Sequence, residues 1–125
     1  MKPLETRTDI EFLVNRFYHK VRADEKIGIF FTEIVKVNWE FHLPKMYNFW
    51  ETLLFGKAVY KGNPMAVHFP INAKKAMEKE HFNRWLELWT KTVEENFTGK
   101  MAKSAVSKAK NIADLMAFKM EIARR

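Results

Sequence analysis

Four histidines are the side chains of this 125-residue chain that titrate around neutrality, and two of them stand where charge is costly. In "FHLPKMYNFW", residues 41–50, Met46, Phe49 and Trp50, continued by Leu53 and Leu54, keep the i, i+3, i+4, i+7, i+8 spacing of one buried helix face. Projected backwards, that stripe lands on His42, one turn before Met46. His68 sits in "NPMAVHFP", residues 63–70, a short segment bracketed by prolines with no carboxylate nearby in sequence. His19 falls off the apolar stripe of its own segment and reads as solvated. His81, in "MEKEHF", reads as an exposed residue at a helix start.

A lone buried histidine is more often a satisfied core group than a ligand. Two of them, with Tyr18 and Trp85 also on inward stripes, shift that balance. The chain has no cysteine, which excludes disulfides, thiolate metal centres, cysteine nucleophiles and thioether-linked c-type haem. Two histidines make a poor zinc site, which usually takes three or four protein ligands. Haem asks for less: one protein nitrogen and an apolar, aromatic slot, with its other face left open for a gas. Eleven Phe and four Trp are a heavy aromatic load for this length and could line such a slot.

The elements that must position these groups read as helices. Thr8-x-x-Glu11 has the form of a capping box. It precedes the stripe Ile10, Leu13, Val14, Phe17, Tyr18, Val21. "DEKIGIFF" (24–31) is a turn and an apolar segment that folds back on the core. Pro44 is tolerable in a first helical turn, which places His42 at a helix entrance, and Gly56 is a natural terminator. Residues 57–81 have weak periodicity. Asn63-Pro64 can start a helical turn, and Pro70 biases Phe69 away from helical geometry, so His68 is expected at the end of a short turn. Phe82, Trp85, Leu86, Trp89, Val93 and Phe97 share a face of the next helix, which closes at Gly99. Ala105, Ala109, Ile112, Ala113, Met116 and Met120 mark the last, from about Met101. No alternating run or Asn-Gly hairpin signals a strand, so the fold class is all-α in a single domain, 1–125.

No Gly-rich phosphate loop, His-Glu-x-x-His motif or paired carboxylate on a helix face is present. The net charge of +7 is spread along the chain, which reads as solubility and local pairing with a small anionic group rather than a nucleic-acid surface. No apolar run approaches the ~20 residues of a membrane span, and "MKPLETRTD" lacks a signal-peptide core. The expected setting is the cytoplasm. A haem-free helical interaction module for an acidic partner is the rival reading from another class.

The segments "FYHKVRAD" (17–24), "IGIFF" (27–31), "WEFHLPKMYNFW" (39–50), "YKGNPMAVH" (60–68) and "FNRWLELWTKTVEENFTGKMA" (82–102) resemble, in order and spacing, the group III branch of the truncated haemoglobins. The Gly-Gly pairs of the other branches are missing, as that resemblance implies. Phe30-Phe31 departs from the Pro before Ile-Phe or Leu-Phe common in relatives. The resemblance implies a truncated globin fold, a two-over-two helical sandwich around haem b, that binds O₂, NO and CO. It implies His68 as the proximal iron ligand and Tyr18, His42 and Trp85 as a polar distal trio facing the gas. Phe31 matches the residue that wedges the ring edge, Met46 and Phe49 the distal face, and Lys45 a position that often reaches a haem propionate. Val67, Phe82, Ile112 and Met116 complete the expected haem contacts. The expected protein is a monomer with no firm catalytic residue. NO dioxygenation, peroxide handling and sensing stay open, with an electron-donating reductase as a partner to test for.

Overall fold

Residues 1–125 are described by a computed structural model, and helices account for most of them. They are α1 Arg7–Ala23, α2 Trp39–Phe55, α3 Pro64–Lys74, α4 Lys79–Asn96 and α5 Lys100–Ala123, with one π-helical turn at Phe30–Ile34. The expected all-α class holds, with one addition. Lys2–Pro3 (β1) pairs in parallel with Phe97–Thr98 (β2), Lys2 opposite Phe97. Two residues are too short to show the period-2 pattern of a strand, so this pairing leaves no mark in the sequence.

The stripe expected on α1 is the deepest part of the core: Ile10, Leu13, Val14, Phe17, Tyr18 and Val21 are all buried. Its capping box is Thr6-x-x-Asp9 and not Thr8-x-x-Glu11. Thr6 Oγ1 accepts from the Asp9 N–H at 3.1 Å, and Asp9 Oδ2 accepts from the Thr6 N–H at 3.0 Å. Thr8 already lies inside the first turn, and Glu11 instead pairs with Arg7 at 2.9 Å. Arg7 also donates to Asn48 and to the buried Glu51, each at 2.8 Å, which ties α1 to α2. Beyond α1 the chain doubles back closely. A Cβ on Gly28 would lie 3.0 Å from the Val21 carbonyl oxygen, so glycine lets Ile27 and Phe30 reach the core.

Two expectations about proline are corrected. α2 begins at Trp39, capped by Asn38, so His42 is its fourth residue, with its N–H bonded to Asn38 O at 2.9 Å, and not a helix entrance. Pro44 therefore sits one turn deeper than expected. α3 likewise runs on through Pro70, and His68 lies within a helix rather than at the end of a turn. Both prolines are exposed, as are Glu40 and Ala66, whose carbonyls lose the donor. Water can replace those bonds, so the local rule is overridden cheaply. The expected ends Asn63-Pro64 and Gly56 are observed, the latter left-handed at φ 70°.

α1 packs on α2 and α4, α4 on α5, and α3 lies against α5 and the π-helical turn. The buried apolar residues fall into two clusters. The larger joins α1, α2, α4 and the first half of α5; the smaller holds Phe30, Met77, Phe82, Ala113, Met116 and Met120. Phe31, Trp85 and Ile112 pack against both.

Asp9 links the α1 cap to the N-terminal strand. Burial alone would raise its carboxyl, but the Lys2 ammonium at 2.7 Å and the N–H groups of Glu5 and Thr6 outweigh that and bring it to about 2. A depressed carboxyl contributes stability that is full above its unfolded value of ~3.9 and is lost as pH falls through the folded value. Urea midpoints should therefore drop between pH ~4 and ~2, and Asp9→Asn should begin lower at neutral pH and fall less steeply across that window.

Candidate functional site

α1 sends the ring of Tyr18 into a cage of aromatic groups. Its centroid lies 5.1 Å from that of His42, 5.4 Å from Trp39 and 5.7 Å from Phe31. Trp39 stacks on Phe31 at 6.0 Å and meets His42 at 5.5 Å. Arg22, one turn after Tyr18 on α1, lays its guanidinium 4.7 Å from the Trp39 ring centre. Trp39 was missed in the sequence although it lies one turn before His42; its signal was the i−3 spacing from that residue.

The electrostatics of the cage follow from burial. Tyr18 is buried, which pushes its phenol well above its ordinary range, so it stays a neutral O–H. Burial, with smaller pushes from the Lys45 and His68 charges, lowers the His42 imidazole to about 4. His42 is thus neutral at pH 7. Its Nε2 is buried with no hydrogen-bond partner in the protein. Leaving such an atom unmade costs roughly 1–3 kcal/mol, and each instance in a native fold asks for a reason.

His68 approaches from α3. Burial lowers its imidazole, partly opposed by its bond to the Pro64 carbonyl. Its Nδ1 stands 2.5 Å from Pro64 O, and a carbonyl can only accept. Nδ1 therefore carries the proton and Nε2 presents a lone pair, the tautomer a metal ligand needs. Burial thus drives both His42 on α2 and His68 on α3 toward the neutral form. Nowhere do three or more His, Cys, Asp or Glu side chains converge as metal ligands. A metal held by His68 would take its remaining ligands from a bound group, and a porphyrin supplies four nitrogens.

The other expected residues divide between the two apolar clusters and the surface. Met46 and Phe49 are half-buried against the larger cluster, and Phe82 and Met116 are buried in the smaller. Phe31, Trp85 and Ile112 lie between the two. Lys45 is exposed, and Val67, beside His68, is 60% exposed. His19 is exposed as expected. His81 is not: only 11% of its side chain is accessible, its Nδ1 accepts from the Glu78 N–H at 2.9 Å, and its ring packs on Phe30. It closes the start of α4 as a cap, a role the sequence shows only as a polar residue at N3.

A family model described as bacterial-like globin matches residues 5–121. The chain is a bacterial-like globin. A group 3 truncated hemoglobin of Campylobacter jejuni is 29% identical over 104 residues, covering 81% of this chain and 80% of that protein. The crystal structure of group III truncated hemoglobin from Campylobacter jejuni superposes with a TM-score of 0.82 at 28% identity, covering 96% of this chain and 95% of that one. The truncated globin fold expected from the sequence is thereby established, and with it a haem-binding globin; the haem-free module is not favoured. No helix of this globin is long and apolar enough to cross a membrane.

Two tryptophans one turn apart on α4 have separate fates. Trp89 is fully buried, stacked on Trp50 at 4.2 Å, and its indole N–H donates to Ala105 O at 3.2 Å. Trp85 is half-buried, edge-on to Phe17 at 5.8 Å. Trp89→Phe should cost about 2–4 kcal/mol in urea unfolding of the apoprotein, because it removes close aromatic packing and the indole bond to the Ala105 carbonyl. Trp85→Phe should cost less than half of that.

Proposed function

We propose that this globin holds haem b through His68 as the proximal ligand and binds O₂, NO or CO on the face overlooked by Tyr18, His42 and Trp85. The observation that carries the reading is the buried, partnerless Nε2 of His42, caged with Tyr18; the Pro64 carbonyl leaves the His68 Nε2 lone pair available for a metal. Haem, when bound, supplies a ferrous iron with one position open to a diatomic gas. The absence of cysteine fits a haem held without thioether bonds.

The chain's own residues then do three things. The Pro64 carbonyl keeps the His68 proton on Nδ1, which leaves Nε2 free to coordinate. Phe31, Met46, Phe49, Phe82, Ile112, Met116 and Val67 supply apolar contact to the ring, and Lys45 is free at the rim to meet a propionate. Tyr18 holds its proton at Oη because burial forbids the phenolate, and so stands ready to donate to an electron-rich guest. His42 and Trp85 add polar hydrogen of the same kind. A hydrogen bond of ~1.5–3 kcal/mol slows release of the guest roughly ten- to a hundredfold. Slow release suits chemistry on the ligand, such as NO dioxygenation or peroxide reduction with electrons from a reductase, better than bulk oxygen transport.

The purified protein should be red with a Soret band, and His68→Gly should lose that pigment or bind it weakly, with added imidazole restoring the spectrum. His81→Ala should keep it. Pigment lost with His81→Ala and kept with His68→Gly would overturn the proximal assignment.

Tyr18→Phe deletes the donor with little change in packing. Stopped-flow measurement should show O₂ dissociation about ten- to a hundredfold faster. CO dissociation should change far less, since bound CO carries little negative charge. Slower O₂ release in this variant would instead make Trp85 the principal donor.

A further inference from the structure

α3 is poorly equipped to hold itself in place. Its 11 residues fall short of the ~12–15 at which isolated helices become marginal in water, and Pro70 removes one rung of its ladder. That missing rung, from residue 70 to the Ala66 carbonyl, spans His68. Only one residue of α3 is buried, and it is polar: Asn72, four residues after His68 and so on the same helix face.

Asn72 joins three segments of chain. Its Oδ1 accepts from the Met77 N–H at 2.9 Å and from Arg124 Nη1 at 2.8 Å. Its Nδ2 donates to the Met120 carbonyl at 3.0 Å. Arg124 Nη1 also donates to the Met77 carbonyl at 2.8 Å. Met120 is in the last turn of α5, where a carbonyl has no N–H four residues on to pair with: the Arg124 N–H turns to Glu121 and Ile122 instead. The Asn72 amide therefore caps α5 while anchoring α3. A leucine there could be buried as well, but it would strand the Met77 N–H and the Met120 carbonyl and fix no direction.

We propose that Asn72 and Arg124 form a positioning clamp for the proximal histidine, setting the tilt of α3 across the Pro70 break and with it the direction and strength of the bond from His68 Nε2 to haem iron. This rests on the reading of His68 as proximal ligand. Asn72 and Arg124 are positioning residues; neither need touch the haem.

The test uses the haem-loaded protein. Resonance Raman of the ferrous, ligand-free form reads the iron–histidine stretch, and transfer to excess apomyoglobin reads haem loss. Asn72→Ala and the milder Arg124→Gln should both shift or broaden the stretch and speed haem loss about tenfold or more, the size typical of losing an outer-shell partner of a ligand. Arg124→Lys, which restores a cationic donor, should recover much of the parent stretch. Arg7→Gln, which loosens the α1–α2 tie away from α3, should lower stability without moving it. Melting temperatures lowered in Asn72→Ala and Arg124→Gln with the stretch unmoved would reduce the clamp to a purely structural contact and overturn the proposal. No iron–histidine stretch in the parent, or one surviving in His68→Gly, would overturn the proximal reading itself and the clamp with it.

Discussion

Which nitrogen of His68 carries the proton is decided by one backbone carbonyl, that of Pro64, and the start of α3 is arranged so that this bond can form. The contact spans four residues and exists only while 64–68 is helical. Asn63 secures that turn by accepting the Ala66 N–H at 3.1 Å, and Pro64 at the first helical position brings a preset φ and no N–H to leave unpaired. An unwound 64–68 would free the ring to rotate and to exchange tautomers. The tautomer of His68 is thus specified by local helix formation, in a helix that has little core of its own.

Across the pocket, burial sets every protonation state in one direction. It raises the Tyr18 phenol and lowers the His42 and His68 imidazoles, so three titratable groups stay neutral inside a chain with a net charge of +7. The positive charge stays outside, with Lys45 exposed on α2. A space lined this way offers hydrogen bonds without net charge. On the proposed haem reading, small neutral guests would be told apart by how well they accept a hydrogen bond, which is the distinction between O₂ and CO.

Much of this was legible in the sequence where it depends on local periodicity. The α1 stripe from Ile10 to Val21, the Met46–Leu54 face and the α5 alanines lie where their spacing put them. What failed was local punctuation overruled from a distance. Pro44 and Pro70 read as helix boundaries, yet both sit on solvent faces where a lost hydrogen bond is cheap. His42 is consequently held by an α2 backbone bond and an aromatic cage, more firmly than a helix entrance would hold it. Thr6-x-x-Asp9 was passed over for the pattern with glutamate. Asn72 carried no signal, because two of its partners are 48 and 52 residues away in sequence and a lone polar residue looks like surface.

The Tyr18 and His68 sides of the proposed haem site are built on different physics. The Tyr18 side rests on the larger cluster, where Trp89 lies parallel to Trp50 on one side and Trp85 on the other and Phe17 packs edge-on to both Trp85 and Trp89. Close-packed aromatics have few alternative arrangements, so the polar atoms of Tyr18 and Trp85 are fixed before any guest arrives. The His68 side is a short, proline-interrupted helix with one buried side chain, held by directional hydrogen bonds. Hydrogen bonds of that kind are individually worth about 1 kcal/mol net and can be lost one at a time, whereas the distal stack gives way only by repacking. On the proposed reading, substitutions on the α3 side should therefore alter the geometry of His68 by degrees while the aromatic cage around Tyr18 stays as it is.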